Sequence, residues 1–207
     1  SGNDRTLNFT NATTLDGNFV NITNLSCEGA VTLNGAITTL GSQTYNGTAA
    51  LAGNTSLTGT TLSLASGVEG AGKSLDLNFA STTALDGNFV NITDLTSEGN
   101  VTLNGTIATS GSQTYNGTAA LTGNTSLSGS TLSLASGVDG AGNSLALNFT
   151  GTTALDGSFA NIADLSSEGG VTLNGGITTS GSQTYNGTAA LTGNTSLSGS
   201  TLSLASG

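Results

Sequence analysis

Apolar and polar residues alternate over short stretches along this chain. Three examples are Leu75-x-Leu77-x-Phe79, Val101-x-Leu103 and Leu132-x-Leu134, with Ser, Thr, Asp or Asn between the apolar residues. A period of two puts neighbouring side chains on opposite faces of a strand, so the pattern predicts half-buried β-strands. Turns are predicted at the dipeptides Asp86-Gly87, Asn104-Gly105 and Asn116-Gly117. No stretch shows a sustained period of 3.6 residues, so negligible helix is expected.

The whole pattern recurs every 70 residues. The segment 111–137 returns unchanged at 181–207, and 56 of the 67 positions in 71–137 are identical in 141–207. Every aromatic residue belongs to a triple at this spacing, such as Phe9, Phe79 and Phe149. The chain therefore divides into units 1–70, 71–140 and 141–207, the last one three residues short, and these should form one continuous solenoid.

Differences between the units separate inward from outward positions. They fall mainly on small or polar residues, as where Asn100 becomes Gly170 or Lys73 becomes Asn143. Twelve apolar residues of the second unit return unchanged 70 residues later and are predicted to face inward: Leu75, Leu77, Leu85, Ile92, Leu95, Val101, Leu103, Ile107, Leu121, Leu127, Leu132 and Leu134. The predicted structural core includes Leu77, Phe79, Leu103, Leu134 and Phe149.

Two all-β architectures fit short strands with small turns. A meander of antiparallel hairpins would use the Asn-Gly and Asp-Gly turns. A parallel β-helix would explain the fixed period without insertions, because equivalent residues of successive coils stack on one another. We favour the parallel β-helix. Aligning Leu77, Leu103, Leu127 and Leu147 predicts about three coils in each unit, or roughly 14 Å of axial rise; four coils of about 17–18 residues fit nearly as well.

Composition excludes most kinds of catalysis. The chain has 207 residues, no His, one Cys, two Lys plus Arg and twelve Asp plus Glu, for a net charge of −10. Without His there is no Ser-His-Asp triad and no imidazole metal ligand, and two cations cannot neutralise a run of phosphates. We therefore expect no enzyme activity, no cofactor, no metal site and no nucleic-acid partner. No apolar run is long enough to span a membrane.

Two motifs resemble a known family of repeats. Gly111 to Asn116 reads Gly-Ser-Gln-Thr-Tyr-Asn, and Gly140 to Asn148 contains Gly-Ala-Gly-Asn-x-Leu-x-Leu-Asn. Both are similar to repeats of filamentous-haemagglutinin-type exoproteins, the large adhesins of two-partner secretion. The resemblance covers essentially all three units. It implies a right-handed parallel β-helix, export to the cell surface, and a role in adhesion or matrix, with the first motif forming a turn.

Other candidate sites have simpler interpretations. The segment from Asp139 to Leu145 faintly resembles a calcium-binding nonapeptide, but it occurs once per unit and is interpreted as a turn. The repeated acids, such as Asp86 and Glu98, are interpreted as solvated charges, since equivalent acids one unit apart are too distant for joint catalysis. Adjacent threonines, such as Thr82-Thr83, point to opposite faces of a strand, unlike an ice-binding ladder. Cys27 replaces Ser97 and Ser167 and is interpreted as a small outward or turn residue.

Sequons of the form Asn-x-Ser/Thr are frequent. Three of them, at Asn46, Asn116 and Asn186, occupy equivalent positions after a predicted strand. We expect exposed turns there, which could carry glycans in a secreted fibre.

These observations predict a structural or adhesive segment of an extracellular or cell-surface fibre. Each end of the chain is ordinary repeat sequence, so we expect covalent continuation or self-association along the fibre axis. Host or matrix carbohydrate or protein is the expected external partner. The alternatives left open are a carbohydrate-binding or carbohydrate-active β-helix, and a β-solenoid that binds calcium or ice.

Overall fold

A computed structural model describes residues 3–7 and 11–206. These residues form β-strands and no helix. In chain order the strands of the described ranges are β1 Asn3–Leu7, β2 Thr13–Asp16, β3 Phe19–Cys27, β4 Val31–Thr39, β5 Ser42–Tyr45, β6 Ala49–Gly59, β7 Thr61–Leu64, β8 Val68–Phe79, β9 Thr82–Ser97, β10 Asn100–Thr109, β11 Ser112–Tyr115, β12 Ala119–Gly129, β13 Thr131–Leu134, β14 Val138–Asp139, β15 Leu145–Phe149, β16 Thr153–Ile162, β17 Leu165–Ser167, β18 Val171–Thr179, β19 Ser182–Ser198 and β20 Thr201–Ser206.

The strands pair in parallel, each with strands about one coil before and after it. Val31 of β4, for example, lies beside Thr13 of β2 and Ala49 of β6. The described chain is a β-solenoid of about 10 turns with a spacing of about 19 residues. The predicted parallel β-helix is confirmed, and the antiparallel meander is excluded because hairpin neighbours would pair in opposite directions.

One coil consists of three short straight runs separated by corners. In the coil that starts at Val31 the runs are 31–33, 37–39 and 43–45, and each buries its first and third residues. We call the strand columns that contain these runs the first, second and third sides. Gly35 bends the chain between the first two runs with φ of 89°, and a Cβ there would lie 2.6 Å from the carbonyl oxygen of Gly17. That corner therefore requires glycine.

The turn predictions separate into two classes in the structure. Asn116-Gly117 connects β11 to β12, as a turn should. Asn104-Gly105 instead lies within β10, where Gly105 has φ of 96° and forms a bend between two straight runs. The motif at Gly111 to Asn116 is not a turn throughout, because Ser112–Tyr115 forms strand β11.

Equivalent residues of successive units lie on different sides of the solenoid. Gln43 is on the third side of the coil that starts at Val31, and three successive pairings lead from it through Leu62 and Thr83 to Val101. Val101, the counterpart of Val31, therefore lies three coils and two sides further on, a displacement of 3⅔ coils. Val171 is the counterpart of Val31 in the third unit. Following the strand pairings back from Val171 one coil at a time leads to Thr55, which places Val171 on the second side. Each unit is thus turned by one third of a revolution relative to its neighbour.

Each unit therefore contains 3⅔ coils. This value lies between the two counts, three and four, that the sequence allowed. The leucine alignment behind the count of three is wrong except for its last pair, Leu127 beside Leu147. Leu77 lies beside Ser97, and Leu103 lies beside Leu121. At about 4.8 Å per coil, one unit advances by roughly 18 Å along the axis rather than 14 Å.

A single apolar core runs along the solenoid axis. The five core residues named from the sequence are each at most 2% exposed: Leu77, Phe79, Leu103, Leu134 and Phe149. Phe9, the first member of their aromatic triple, lies outside the described residues. Burying each large aliphatic side chain contributes about 1.5–3 kcal/mol, so the core stabilises every coil against its neighbours.

A buried polar pair in each unit was not foreseen from the sequence. Gln43, Gln113 and Gln183 point inward, and each accepts a hydrogen bond from the hydroxyl of the tyrosine two residues later. The Nε2 group of Gln113 donates to the carbonyl oxygens of Ile107, at 3.0 Å, and Ser128, at 2.8 Å. The glutamine thus ties together the straight runs of two neighbouring coils.

Candidate functional site

Most acidic side chains on the described surface accept a hydrogen bond from an asparagine one coil further along the chain. Eight such donor–acceptor pairs are present: Asn24–Asp4, Asn34–Asp16, Asn46–Glu28, Asn91–Glu69, Asn116–Glu98, Asn161–Asp139, Asn174–Asp156 and Asn186–Glu168. We call this arrangement the acid–amide ladder. Amide donors satisfy the carboxylates without neutralising them, so the surface keeps its negative charge while adjacent coils are linked.

A second kind of carboxylate caps the start of a strand. Asp94 accepts two hydrogen bonds from Ser112, one from its backbone N–H at 2.8 Å and one from its hydroxyl at 2.7 Å. These bonds favour the charged form and lower the pKa of Asp94. Asp164 has the same relation to Ser182 and also has a lowered pKa. In the first unit the side-chain oxygen of Asn24 accepts the same two bonds from Ser42. This position therefore needs an oxygen acceptor and not a charge.

The three sequons singled out from the sequence are exposed. Asn46 and Asn116 lie in the connections after β5 and β11, and Asn186 lies within β19. Each amide nitrogen donates to the glutamate 18 residues earlier, over 2.8 to 3.0 Å. Because of the one-third turn between units, the three asparagines follow the third, second and first sides. The sequon at Asn8 falls outside the described residues.

The candidate calcium segment, Asp139 to Leu145, forms a tight corner that is held by hydrogen bonds within the segment and from the next coil. The carboxylate of Asp139 accepts from the amide of Asn161 at 3.0 Å and from the backbone N–H of Ala141 at 3.1 Å. These two bonds, the first being the stronger influence, lower the pKa of Asp139. Ala141 and Gly142 have φ of 48° and 84°. Within residues 3–7 and 11–206, no three His, Cys, Asp or Glu side chains cluster as potential metal ligands.

The repeated acids are dispersed by the same rotation. Asp86 pairs in register with Asn104 on the third side, whereas Asp16 pairs with Asn34 on the first side. One groove of about 300 Å³ does contain two carboxylates, those of Asp76 and Glu98. Glu98 recurs in every unit, but the counterparts of Asp76 are Thr6 and Ala146, so this acidic pair belongs to the middle unit alone.

The adjacent threonines do point to opposite faces. Thr83 is fully buried, whereas its neighbour Thr82 is exposed, and Thr153 and Thr152 repeat the arrangement. The hydroxyls of Thr83 and Thr153 have no hydrogen-bond partner in the core. An ice-binding surface would need these hydroxyls outside the solenoid, where only one of each pair lies.

The prediction for Cys27 was wrong about its direction. Its side chain is buried at the end of β3, beside Tyr45 in the next coil. Burial, and then the neighbouring Glu28 carboxylate, raises the pKa of the Cys27 thiol to about 11. A thiol that stays protonated at neutral pH is a poor nucleophile and a poor metal ligand. Cys27 therefore acts as a core residue, where Ser97 and Ser167 leave hydroxyls without a partner.

Of the described aromatic side chains, all are buried in the core except that of Phe19, which is partly buried. Tyr45, Tyr115 and Tyr185 are fully buried, and burial raises the pKa of Tyr185 to about 12. The exposed large apolar residues of the described chain are all aliphatic: Val20, Leu40, Leu191, Leu202 and Leu204. Phe19 is therefore the one described aromatic side chain that retains exposed surface against which a sugar ring could stack.

Comparison with known proteins identifies no relative: no family model matches the chain, and neither a curated protein nor a solved structure matches it. The described residues also include no helix with the length and apolar character needed to cross a bilayer. Function therefore has to be argued from the solenoid itself and from the groups on its surface.

Proposed function

We propose that the chain is a structural and adhesive repeat segment of an extracellular or cell-surface fibre, without catalytic activity. The observation that carries this proposal is the continuous solenoid, in which one core crosses both boundaries between units without interruption. Successive units meet through the same strand pairings, as when Leu64 lies beside Leu85 and Leu134 lies beside Leu155. Such an element grows in length by adding units and needs no new kind of contact.

The surface supports the same role. The acid–amide ladder reinforces contacts between coils while the net charge of −10 opposes lateral clumping of neighbouring solenoids. The similarity of the Gly111 to Asn116 motif to adhesin repeats adds to this argument. Host or matrix carbohydrate or protein is the proposed external ligand, and Asn46, Asn116 and Asn186 are the proposed glycan attachment sites because each is exposed.

A length series tests the fibre proposal. Deleting 71–140 joins residue 70 to residue 141, which recreates the junction already present between residues 140 and 141. We expect the shortened protein to fold and to lose about 18 Å of length. In the source cells, attachment or fibre length should change progressively as whole units are deleted or added. Normal attachment and fibre morphology after removal of all three units would contradict the proposal.

A carbohydrate-active or carbohydrate-binding function is the second candidate, because Asp76 and Glu98 line one groove. Two carboxyl groups on one groove are the minimum for glycoside hydrolysis. The test is polysaccharide binding and cleavage by the native protein and by the Asp76→Asn/Glu98→Gln variant. Loss of activity in the variant would favour this candidate over the fibre, whereas equal behaviour of the two proteins would exclude the groove.

A further inference from the structure

The interior coils hold Asn-Gly dipeptides in two different settings. Asn46-Gly47 and Asn116-Gly117 lie in the connections after β5 and β11. Asn174-Gly175 instead lies within β18, where its glycine pairs in register with Gly157 and Thr195. In all three dipeptides the asparagine is exposed, the glycine is half-buried, and the amide donates to a carboxylate one coil earlier. The dipeptides therefore differ in whether the glycine is part of a paired strand, and not in their access to water.

Close stacking of two backbones requires the glycine at position 117. A Cβ on Gly117 would lie 2.5 Å from both the carbonyl carbon and the carbonyl oxygen of Gly99 in the preceding coil. Gly47 meets Gly29 in the same way. A glycine has no side chain to shield its backbone nitrogen. The stacking of the coils therefore fixes the least hindered backbone nitrogen directly after an exposed asparagine.

We propose that Asn46 and Asn116 are modification sites, at which the asparagine deamidates through a succinimide formed with the following glycine. The backbone nitrogen of Gly117 attacks Cγ of Asn116, and the Cγ–Nδ2 bond breaks. The nitrogen leaves as ammonia, which takes the proton of the glycine N–H. Water then opens the succinimide ring. Opening at Cγ gives aspartate, whereas opening at the main-chain carbonyl carbon gives isoaspartate.

The new carboxylate faces Glu98 across the acid–amide ladder. In the native chain Nδ2 of Asn116 donates to Oε2 of Glu98 over 2.9 Å. A carboxylate at position 116 cannot donate this bond and adds a negative charge, and like charges directly opposite each other on neighbouring strands are destabilising. The carbonyl oxygen of Asn116 also accepts a 2.7 Å bond from the hydroxyl of Ser136 in the following coil. Deamidation therefore loosens one corner of three successive coils.

This chemistry does not depend on the proposed fibre function. It competes with the proposed glycan, because the nitrogen that leaves as ammonia is the atom to which a glycan would be attached. One site can carry a glycan or deamidate, but not both at once. The test therefore uses the full chain produced without glycans.

Peptide mapping by mass spectrometry follows each asparagine in the same incubated sample. Asn46 and Asn116 should deamidate at least about tenfold faster than Asn174, because the strand pairing of Gly175 has to open before its nitrogen can attack. Isoaspartate should accompany aspartate at both sites, since direct hydrolysis of the side-chain amide gives aspartate alone. Equal rates at Asn116 and Asn174, or aspartate without isoaspartate, would overturn the proposal.

Three variants measure the effect on the ladder. Asn116→Asp reproduces one product and should lower the amide-exchange protection of the adjacent coils by about tenfold. Asn100→Asp adds the same charge at the same corner but keeps the oxygen that accepts from the backbone N–H of Thr118 at 3.1 Å, so protection should fall much less. Combining Asn116→Asp with Glu98→Gln restores a donor and an acceptor in the reverse direction and should recover protection. Equal losses in the two single variants, or no recovery in the double variant, would contradict the proposed loosening.

Discussion

The hydroxyl of Tyr115 donates a 3.0 Å hydrogen bond to Oε1 of Gln113, and neither side chain has any exposed surface. The amide nitrogen of Gln113 in turn donates to the carbonyl oxygens of Ile107 and Ser128, which lie in neighbouring coils. Burial of an amide is costly unless its hydrogen-bonding groups are paired. The tyrosine is therefore what allows the glutamine to connect neighbouring coils inside an apolar core.

Replacing Tyr115 by phenylalanine should destabilise the coils around it. The change removes the donor and leaves the buried oxygen of Gln113 without this partner, which costs about 1–3 kcal/mol. Amide hydrogen exchange measures the loss locally, which suits a solenoid whose stability is a sum over neighbouring coils. Thr114→Ala, on the outward residue between the two, is the matched control and should have a much smaller effect. Equal protection in the two variants would mean that the hydroxyl contributes nothing.

Replacing Ser97 by cysteine, and replacing its first-unit counterpart Cys27 by serine, should change the free energy of unfolding in opposite directions. Ser97 buries a hydroxyl without a hydrogen-bond partner, whereas Cys27 puts a less polar thiol at the equivalent position. Ser97→Cys should stabilise the protein by about 1 kcal/mol, and Cys27→Ser should destabilise it by a similar amount. Thermal unfolding of both variants under reducing conditions provides the measurement. The interpretation fails if Ser97→Cys is less stable than the native chain.

Acid sensitivity should decrease when Asp94 is replaced by asparagine. The pKa of Asp94 is lowered in the folded chain, so its contribution to stability is present above its unfolded pKa of about 3.9 and is lost as the pH falls through the lower folded value. The introduced asparagine would still accept both bonds from Ser112, as Asn24 does from Ser42. The variant should match the native protein at pH 7 and lose less stability between about pH 5 and 3.

Two comparisons make the acid experiment specific. Asp94→Ala removes the acceptor as well as the charge, so it should be less stable than the native chain already at pH 7. Asp139 and Asp164 also have lowered pKa values, so part of the acid dependence should persist in Asp94→Asn. An unchanged pH profile in that variant would show that Asp94 does not contribute to acid unfolding.

A core leucine and a surface asparagine close to it in sequence should respond differently to substitution. Leu103 is buried, so Leu103→Ala should cost about 2–5 kcal/mol and Leu103→Asp more. Asn100 is exposed, and Gly170 occupies its place in the third unit. Asn100→Gly loses only the 3.1 Å bond from the backbone N–H of Thr118, so it should cost less than about 1 kcal/mol. Denaturant unfolding compares the two, and similar losses would contradict the assigned directions of the side chains.

The strands and their inward residues could be predicted from alternation alone. Leu77 and Leu103 are buried because a pleated strand sends every second side chain to the same face, and this depends only on local geometry. The 70-residue repeat likewise indicated a solenoid before any contact was known. The inward direction of Cys27 was missed because the residue was compared only with the serines that replace it in the other units. Its alternation with Leu25, which is also buried, would have indicated it.

The stacking of the coils was decided by the tertiary structure. Successive partners along a column are separated by unequal numbers of residues, as from Val31 to Ala49 and from Thr55 to Leu75. These differences arise because corners vary in length, and the register follows from pairing and core packing between coils. Seventy residues therefore amount to 3⅔ coils and not to a whole number. Sequence periodicity determined that the units are equivalent; only the register of one coil on the next determined that they face three different sides.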